Sequence, residues 1–131
     1  MENTTSYEIF LSEDRKYIVT KHCGPINGEI IIARALEAHA LGNKLGITRH
    51  LMDVTEATNI DPLAKTYKFA YENIKKNPGI NMGVRVAVLV RPGDHSHDFG
   101  ETVARNAGQD VTIFRDRESA IAHLTNDLRT T

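Results

Sequence analysis

The stretch "LMDVTEATNIDPLAKTYKFAYENI", Leu51 to Ile74, decides how the chain reads. It opens on a short apolar run ending at Asp53. Asp61-Pro62 then begins a segment with helical periodicity. Leu63, Tyr67, Ala70 and Ile74 fall at i, i+4, i+7 and i+11, while Lys65, Lys68, Glu72 and Lys75 share the opposite side. Asn77-Pro78-Gly79 stops the pattern. A strand over 47–54 followed by a helix over 61–76 is therefore expected, and with it an alternating α/β architecture.

The same reading extends in both directions. Tyr7–Leu11 and Arg15–His22 read as two strands joined by the turn residues Ser12-Glu13-Asp14, with Cys23-Gly24-Pro25 breaking the second. Asn27 is placed to cap a helix running to Gly46, with Ile31, Ala35, Ala38, Gly42 and Leu45 inward. Val84–Val90 is nearly all β-branched or apolar, as in a strand covered on both faces. A helix over Ser96–Asn106, a strand over Val111–Phe114 and a last helix capped by Asp116 complete the order ββαβαβαβα. Right-handed crossovers make strands three to five parallel, and the opening hairpin adds an antiparallel member. The expected fold class is α/β, one mixed five-stranded sheet with four helices.

The bulk properties narrow the function. At 131 residues the chain fits a single domain, 1–131, with its core over about 7–128. A formal charge of −1 favours neither nucleic acid nor an anionic membrane. The single cysteine, Cys23, forms no internal disulfide. No apolar run approaches a membrane span, and Met1–Ser6 is polar with no signal-peptide core, so a cytoplasmic location is expected.

Three motifs then resemble a known family. "YIVTKHCGPINGE" (17–29) resembles its second strand and entry to the first helix. "RHLMDVTEATNID" (49–61) resembles its third strand and the corner beyond. "VTIFRDRESAIAHL" (111–124) resembles its closing strand and helix. On these the chain resembles the SpoIIAA-like or STAS-like family, small bacterial domains related to anti-sigma-factor antagonists. The resemblance implies a SpoIIAA-like fold and regulation through protein contacts. It also implies a phosphorylatable serine at the start of the second helix, where this chain has Pro62 after Asp61. Asp61 reads as an N-cap with proline at the first helical position. The alternative is partial imitation of a phosphorylated residue.

Asp53 stands at the carboxyl end of a buried strand, where open α/β sheets place ligands. A receiver-type phosphoacceptor would also need an acidic pair after the first strand and a lysine after the last; the chain has neither, and carries Arg115 instead. Asp53 is expected to accept backbone N–H bonds from a 55–59 loop. In "RPGDHSHDFGE", His95, His97, Asp94 and Asp98 are the residue types that bind zinc or iron. The same residues also read as a turn, with Asp94 or Ser96 as N-cap. His22 and Cys23 are neighbours on a strand and point to opposite faces, so they form no activated thiolate pair. His39 and His123 are expected at the surface. Phe69 lies about 200° around its helix from Tyr67, which marks either a partner or dimer contact or a seat under a neighbouring helix.

No Gly-rich phosphate loop appears, and no cofactor or resident metal is expected. The leading expectation is a non-enzymatic regulatory domain with a binding surface of Asp53, Asp61, Phe69, Asp94, His95 and His97. It acts on a protein partner, with homodimerisation as a secondary expectation. One alternative is a carrier of a small apolar ligand or lipid, from the likeness of the STAS-like fold to Sec14-like domains. Another is a metal-dependent enzyme using the 94–98 loop.

Overall fold

A computed structural model describes residues 5–60 and 78–127. The chain opens with β1 (Ser6–Leu11) and β2 (Ile18–Ile26), paired antiparallel. Then follow α1 (Gly28–Leu45), β3 (Arg49–Asn59), β4 (Arg85–Leu89), α2 (Asp98–Asn106), β5 (Asp110–Phe114) and α3 (Arg117–Thr125). The sheet runs β1-β2-β3-β4-β5, with β2 to β5 all parallel. The mixed five-stranded sheet is thus as expected. Three helices lie among the described residues rather than four; the one expected over 61–76, with Asp61, Pro62 and Phe69, lies outside them.

Alternation along the central strands explains the layers. Val86 and Val88 of β4 join Ile26, Val54 and Val103 in a core on one face. Ala87 and Leu89 join Val19, Leu51 and Leu124 in a second core under α3. Side chains at successive positions leave opposite faces, so a strand apolar throughout must be covered twice.

Strand bounds differ from expectation where pairing overrides local breakers. Gly24 and Pro25 lie within β2, and 55–59 within β3, because these extensions pair with each other from Cys23↔Glu56 to Ile26↔Asn59. β1 reaches only as far as Cys23, so Pro25 sits where no ladder donor is needed on that side. Between Lys21↔Asp53 and Cys23↔Glu56 the register shifts, β3 spending one more residue than β2. At the hairpin, β2 starts at Ile18 rather than Arg15. Residues 12–17 close as a loop in which the Ser12 hydroxyl accepts the N–H groups of Lys16 and Tyr17.

The helix caps follow the sequence in two cases and depart in one. Asn27 Oδ1 accepts the Ile30 N–H at 2.9 Å, and Gly46 ends α1 at φ +73°. Asp116 accepts the Ser119 N–H at 2.8 Å. Neither Asp94 nor Ser96 caps α2; His97 occupies that position without a side-chain bond, while Asp94 accepts the Ser96 N–H within the loop and the Ser96 hydroxyl accepts the Asn59 N–H of β3. On α1 the expected stripe also shifts: Leu45 is exposed, whereas His39 and Arg34 are buried.

Candidate functional site

Of the four sequence-predicted residues that the structure describes, Asp94, His95 and His97 lie in the loop beyond β4, whereas Asp53 lies midway along β3 rather than at its carboxyl end, because that strand runs on to Asn59. Asp53 is 3 % exposed. Its Oδ1 accepts the Thr55 N–H at 3.0 Å and the Thr55 hydroxyl at 2.7 Å, at the register shift, and its Oδ2 accepts from Arg117 at 2.8 Å. Burial opposes ionisation, but the Thr55 and Arg117 donors outweigh it and hold the carboxyl below its ordinary range. The expected backbone bond from residue 55 is present, on a strand rather than a loop.

Beyond β4 the 91–97 loop is fastened to β3. Arg91 donates to Thr55 O at 2.8 Å and to the Thr58 hydroxyl at 3.0 Å. Ser96 Oγ accepts the Asn59 N–H at 3.1 Å, and Asn59 Nδ2 donates to Ser96 O at 3.2 Å. Asp94 Oδ1 accepts the Ser96 N–H at 2.9 Å. Burial works against its charge, yet Ser96, His97 and Arg91 together lower its pKa. Arg115 ties the same loop to the end of β5, donating to Pro92 O at 3.1 Å and Asp94 O at 3.0 Å.

The two loop histidines diverge. His97 is buried, with Nε2 at 3.4 Å from Ala57 O and 3.5 Å from Asp94 Oδ2. Both neighbours accept, so Nε2 carries the proton. His95 is exposed, with Nδ1 at 2.8 Å from Asp98 Oδ2 and 3.1 Å from Arg115 Nη2. Among the described residues no three His, Cys, Asp or Glu side chains are grouped to hold a metal ion. Asp53 faces the α3 side, while His97 lies against the opposite core. The structure links them through Thr55 and Arg91 rather than in one pocket. Cys23 and His22 point apart as expected: Cys23 Sγ lies near Glu56, and His22 is buried beside Arg34.

A second feature was not foreseen. Between α1, α2 and the sheet lies a cavity of about 150 Å³. Its wall includes Ile32 and Ala38 of α1, and Val86 and Val88 of β4. It also includes His22, His39, His50 and His97, four of the chain's six histidines, each at most 6 % exposed. His22 Nδ1 accepts from Arg34 at 3.0 Å, since a guanidinium only donates. His39 Nδ1 accepts the Asn81 N–H at 2.8 Å. His50 lies 4.9 Å from His39, ring to ring, and its Nε2 is buried without a hydrogen-bond partner. Burial first, then the Arg34 charge, lowers His22 to about 4; burial, then His39, lowers His50 to about 4. The wall is therefore apolar with neutral imidazoles at pH 7. Strand alternation placed His22 and His50 on the cavity face, but only the packing of α1 and α2 showed that all four meet.

No helix among the described residues is long and apolar enough to cross a membrane. No known family model matches the chain, and no curated protein matches it in sequence. In structure it is similar to an anti-sigma-factor antagonist from Mycobacterium paratuberculosis, at 9 % identity and TM-score 0.59, covering 95 % of this chain and 97 % of that one. It is similar to the anti-sigma-factor antagonist SpoIIAA in its unphosphorylated form, at 13 % identity and TM-score 0.54, covering 95 % and 100 %. An uncharacterised protein of SpoIIAA-like fold from Shewanella loihica gives 17 % identity and TM-score 0.53 over 92 % and 93 %. At these identities the likeness carries the fold and nothing finer: the chain has the SpoIIAA-like fold seen in anti-sigma-factor antagonists.

Proposed function

We propose that the chain is a non-enzymatic regulatory domain that docks a protein partner at the carboxyl end of its parallel strands. One observation carries this reading: Arg91 and Arg115 clamp the 91–97 loop through backbone carbonyls, leaving His95 exposed on a fixed surface. A surface ordered before binding loses little entropy on docking. The fold it shares with anti-sigma-factor antagonists supports the same use. We include Asp61 and Phe69, which lie outside the described residues, on their sequence alone, and Pro62 in place of a serine leaves that corner without a phosphate switch. A second copy of the chain is the alternative occupant.

The test is affinity capture with the wild type, Arg115→Ala, and a distant control, Lys16→Ala, with light scattering alongside. A partner held by wild type and control but lost from Arg115→Ala supports the reading. Equal capture by all three, or a monomer that captures nothing, overturns it.

The cavity favours a second reading, carriage of a small apolar ligand. Its volume lies below the roughly 300 Å³ at which drug-sized ligand pockets begin, so a two-chain lipid of the Sec14 kind is too large for it.

A further inference from the structure

We propose that β1 is a self-association edge: two copies of the chain pair their β1 strands antiparallel about a two-fold axis at Ile9, joining two sheets into one. This edge is distinct from the docking surface proposed above, which lies beyond β4, three strands away.

The β1 edge is open. Among the described residues β1 pairs with β2 alone. At the hairpin end the Ser12 N–H donates to Tyr17 O at 2.9 Å, which makes Ser12 and Tyr17 a hydrogen-bonded pair. Such pairs alternate along an antiparallel ladder. Phe10, Glu8 and Ser6 therefore bond to β2, and Tyr7, Ile9 and Leu11 turn their N–H and C=O groups outward. Sheets guard such edges with lysine, proline, bulges or a covering element. Ser6–Leu11 has no lysine, arginine or proline, pairs with β2 without a register shift, and has no buried residue.

The opposite edge is guarded. Phe114 O accepts the Val90 N–H on the β4 side, so Ile113 turns outward. Its N–H is taken by the Glu101 carboxylate of α2 at 2.7 Å. A second strand would have to displace that carboxylate, so pairing through β1 stops at a closed dimer.

The strand complements itself. With Ile9 on the axis, Tyr7 faces Leu11 of the second copy and Ile9 faces Ile9, so every outward residue is bonded. Glu8 then stands opposite Phe10. An axis at Glu8 would set two like charges face to face and leave Leu11 unpaired; an axis at Phe10 would leave Tyr7 unpaired. Tyr7 and Phe10 are 42 % and 44 % exposed, and pairing covers both. Tyr7 is held beforehand: its hydroxyl donates to Glu37 at 2.7 Å, and the Arg34 guanidinium lies 4.4 Å from its ring centroid. The edge therefore loses little freedom on pairing. A foreign strand would move the open edge outward by one strand, whereas a second copy closes both edges at once.

Sedimentation velocity and amide hydrogen exchange on the full chain test this. The wild type is expected to pass from monomer to dimer between about 1 µM and about 1 mM, the range of a small interface. Ile9→Pro removes an outward N–H and spares the bonds to β2, so it should weaken association at least about tenfold. In the wild type, exchange at Tyr7, Ile9 and Leu11 should slow as concentration rises. Glu8 and Phe10, already bonded to β2, should change little. That comparison decides the matter if Ile9→Pro does not fold. A monomer at millimolar concentration overturns the proposal. So does a dimer in which any of the Tyr7, Ile9 and Leu11 amides exchanges at the monomer's rate, which places the contact or its axis elsewhere. Protection that requires a captured protein instead of a second copy assigns the edge to a foreign strand and overturns it too. Capture by wild type and its loss in Arg115→Ala are read separately, so failure here leaves the docking reading standing.

Discussion

Arg117, the first residue of α3, donates to Asp53 on β3 at 2.8 Å. It thereby joins the last helix to the strand residue that the sequence singled out. The carboxylate is almost wholly buried, while the guanidinium is more than half exposed. Asp53→Ala is expected to cost about 2–3 kcal/mol, because it strands the Thr55 donors as well as Arg117. Arg117→Ala should cost about 1 kcal/mol, since water screens its side of the pair. Urea denaturation at neutral pH measures both. The folded pKa of Asp53 is lowered, so its contribution is complete above the ordinary carboxylate value of about 4 and disappears as pH falls below it.

The buried histidines set a separate acid limit at higher pH. His22 and His50 titrate at about 4 in the folded chain, against about 6.5 when unfolded. Between those values the unfolded state binds more protons, so stability is complete above about 6.5 and falls as pH drops towards 4. Each contributes on the order of 3 kcal/mol to that fall. Denaturation midpoints from pH 7 to pH 4.5 should show the decline. His50→Leu should flatten its slope while changing stability at pH 7 by no more than about 1 kcal/mol, because His50 Nε2 has no hydrogen-bond partner to lose.

Two helical glycines should respond oppositely to alanine. A Cβ on Gly42 would stand 2.8 Å from Ile47 O and 3.1 Å from His50 Nε2. Gly42→Ala is therefore expected to destabilise by about 1–2 kcal/mol, after allowing for the helix propensity gained. A Cβ on Gly100 meets nothing within 4 Å, so Gly100→Ala should stabilise by about 0.5–1 kcal/mol. Thermal melts of the two variants check the pair.

Removing the cap of α1 should loosen the helix that walls the cavity. Asn27→Ala is expected to cost about 1 kcal/mol, with Asn27→Asp retaining most of the stability. Amide exchange should quicken first at Ile30, the donor that loses its partner.

The sequence alone determined the alternation of strands and helices, the hairpin, the caps at Asn27, Gly46 and Asp116, and the two-faced burial of Val86–Leu89. These follow from short-range chemistry: side-chain periods of two and 3.6, and cap residues that serve orphan backbone groups within the same turn. Tertiary structure decided the rest. Gly24 and Pro25 read as breakers, yet their stretch continues because residues 55–59 offer it a parallel partner. His39 read as surface and is buried, because Asn81 brings a backbone N–H to it across 42 positions. His95 and His97 read as one loop pair and separate, because Arg115 and Ala57 draw them to different sides. The meeting of His22, His39, His50 and His97 around one cavity has no local signature. Each owes its burial to contacts far away in the chain, and only close packing of the layers settles which distant side chains share a wall.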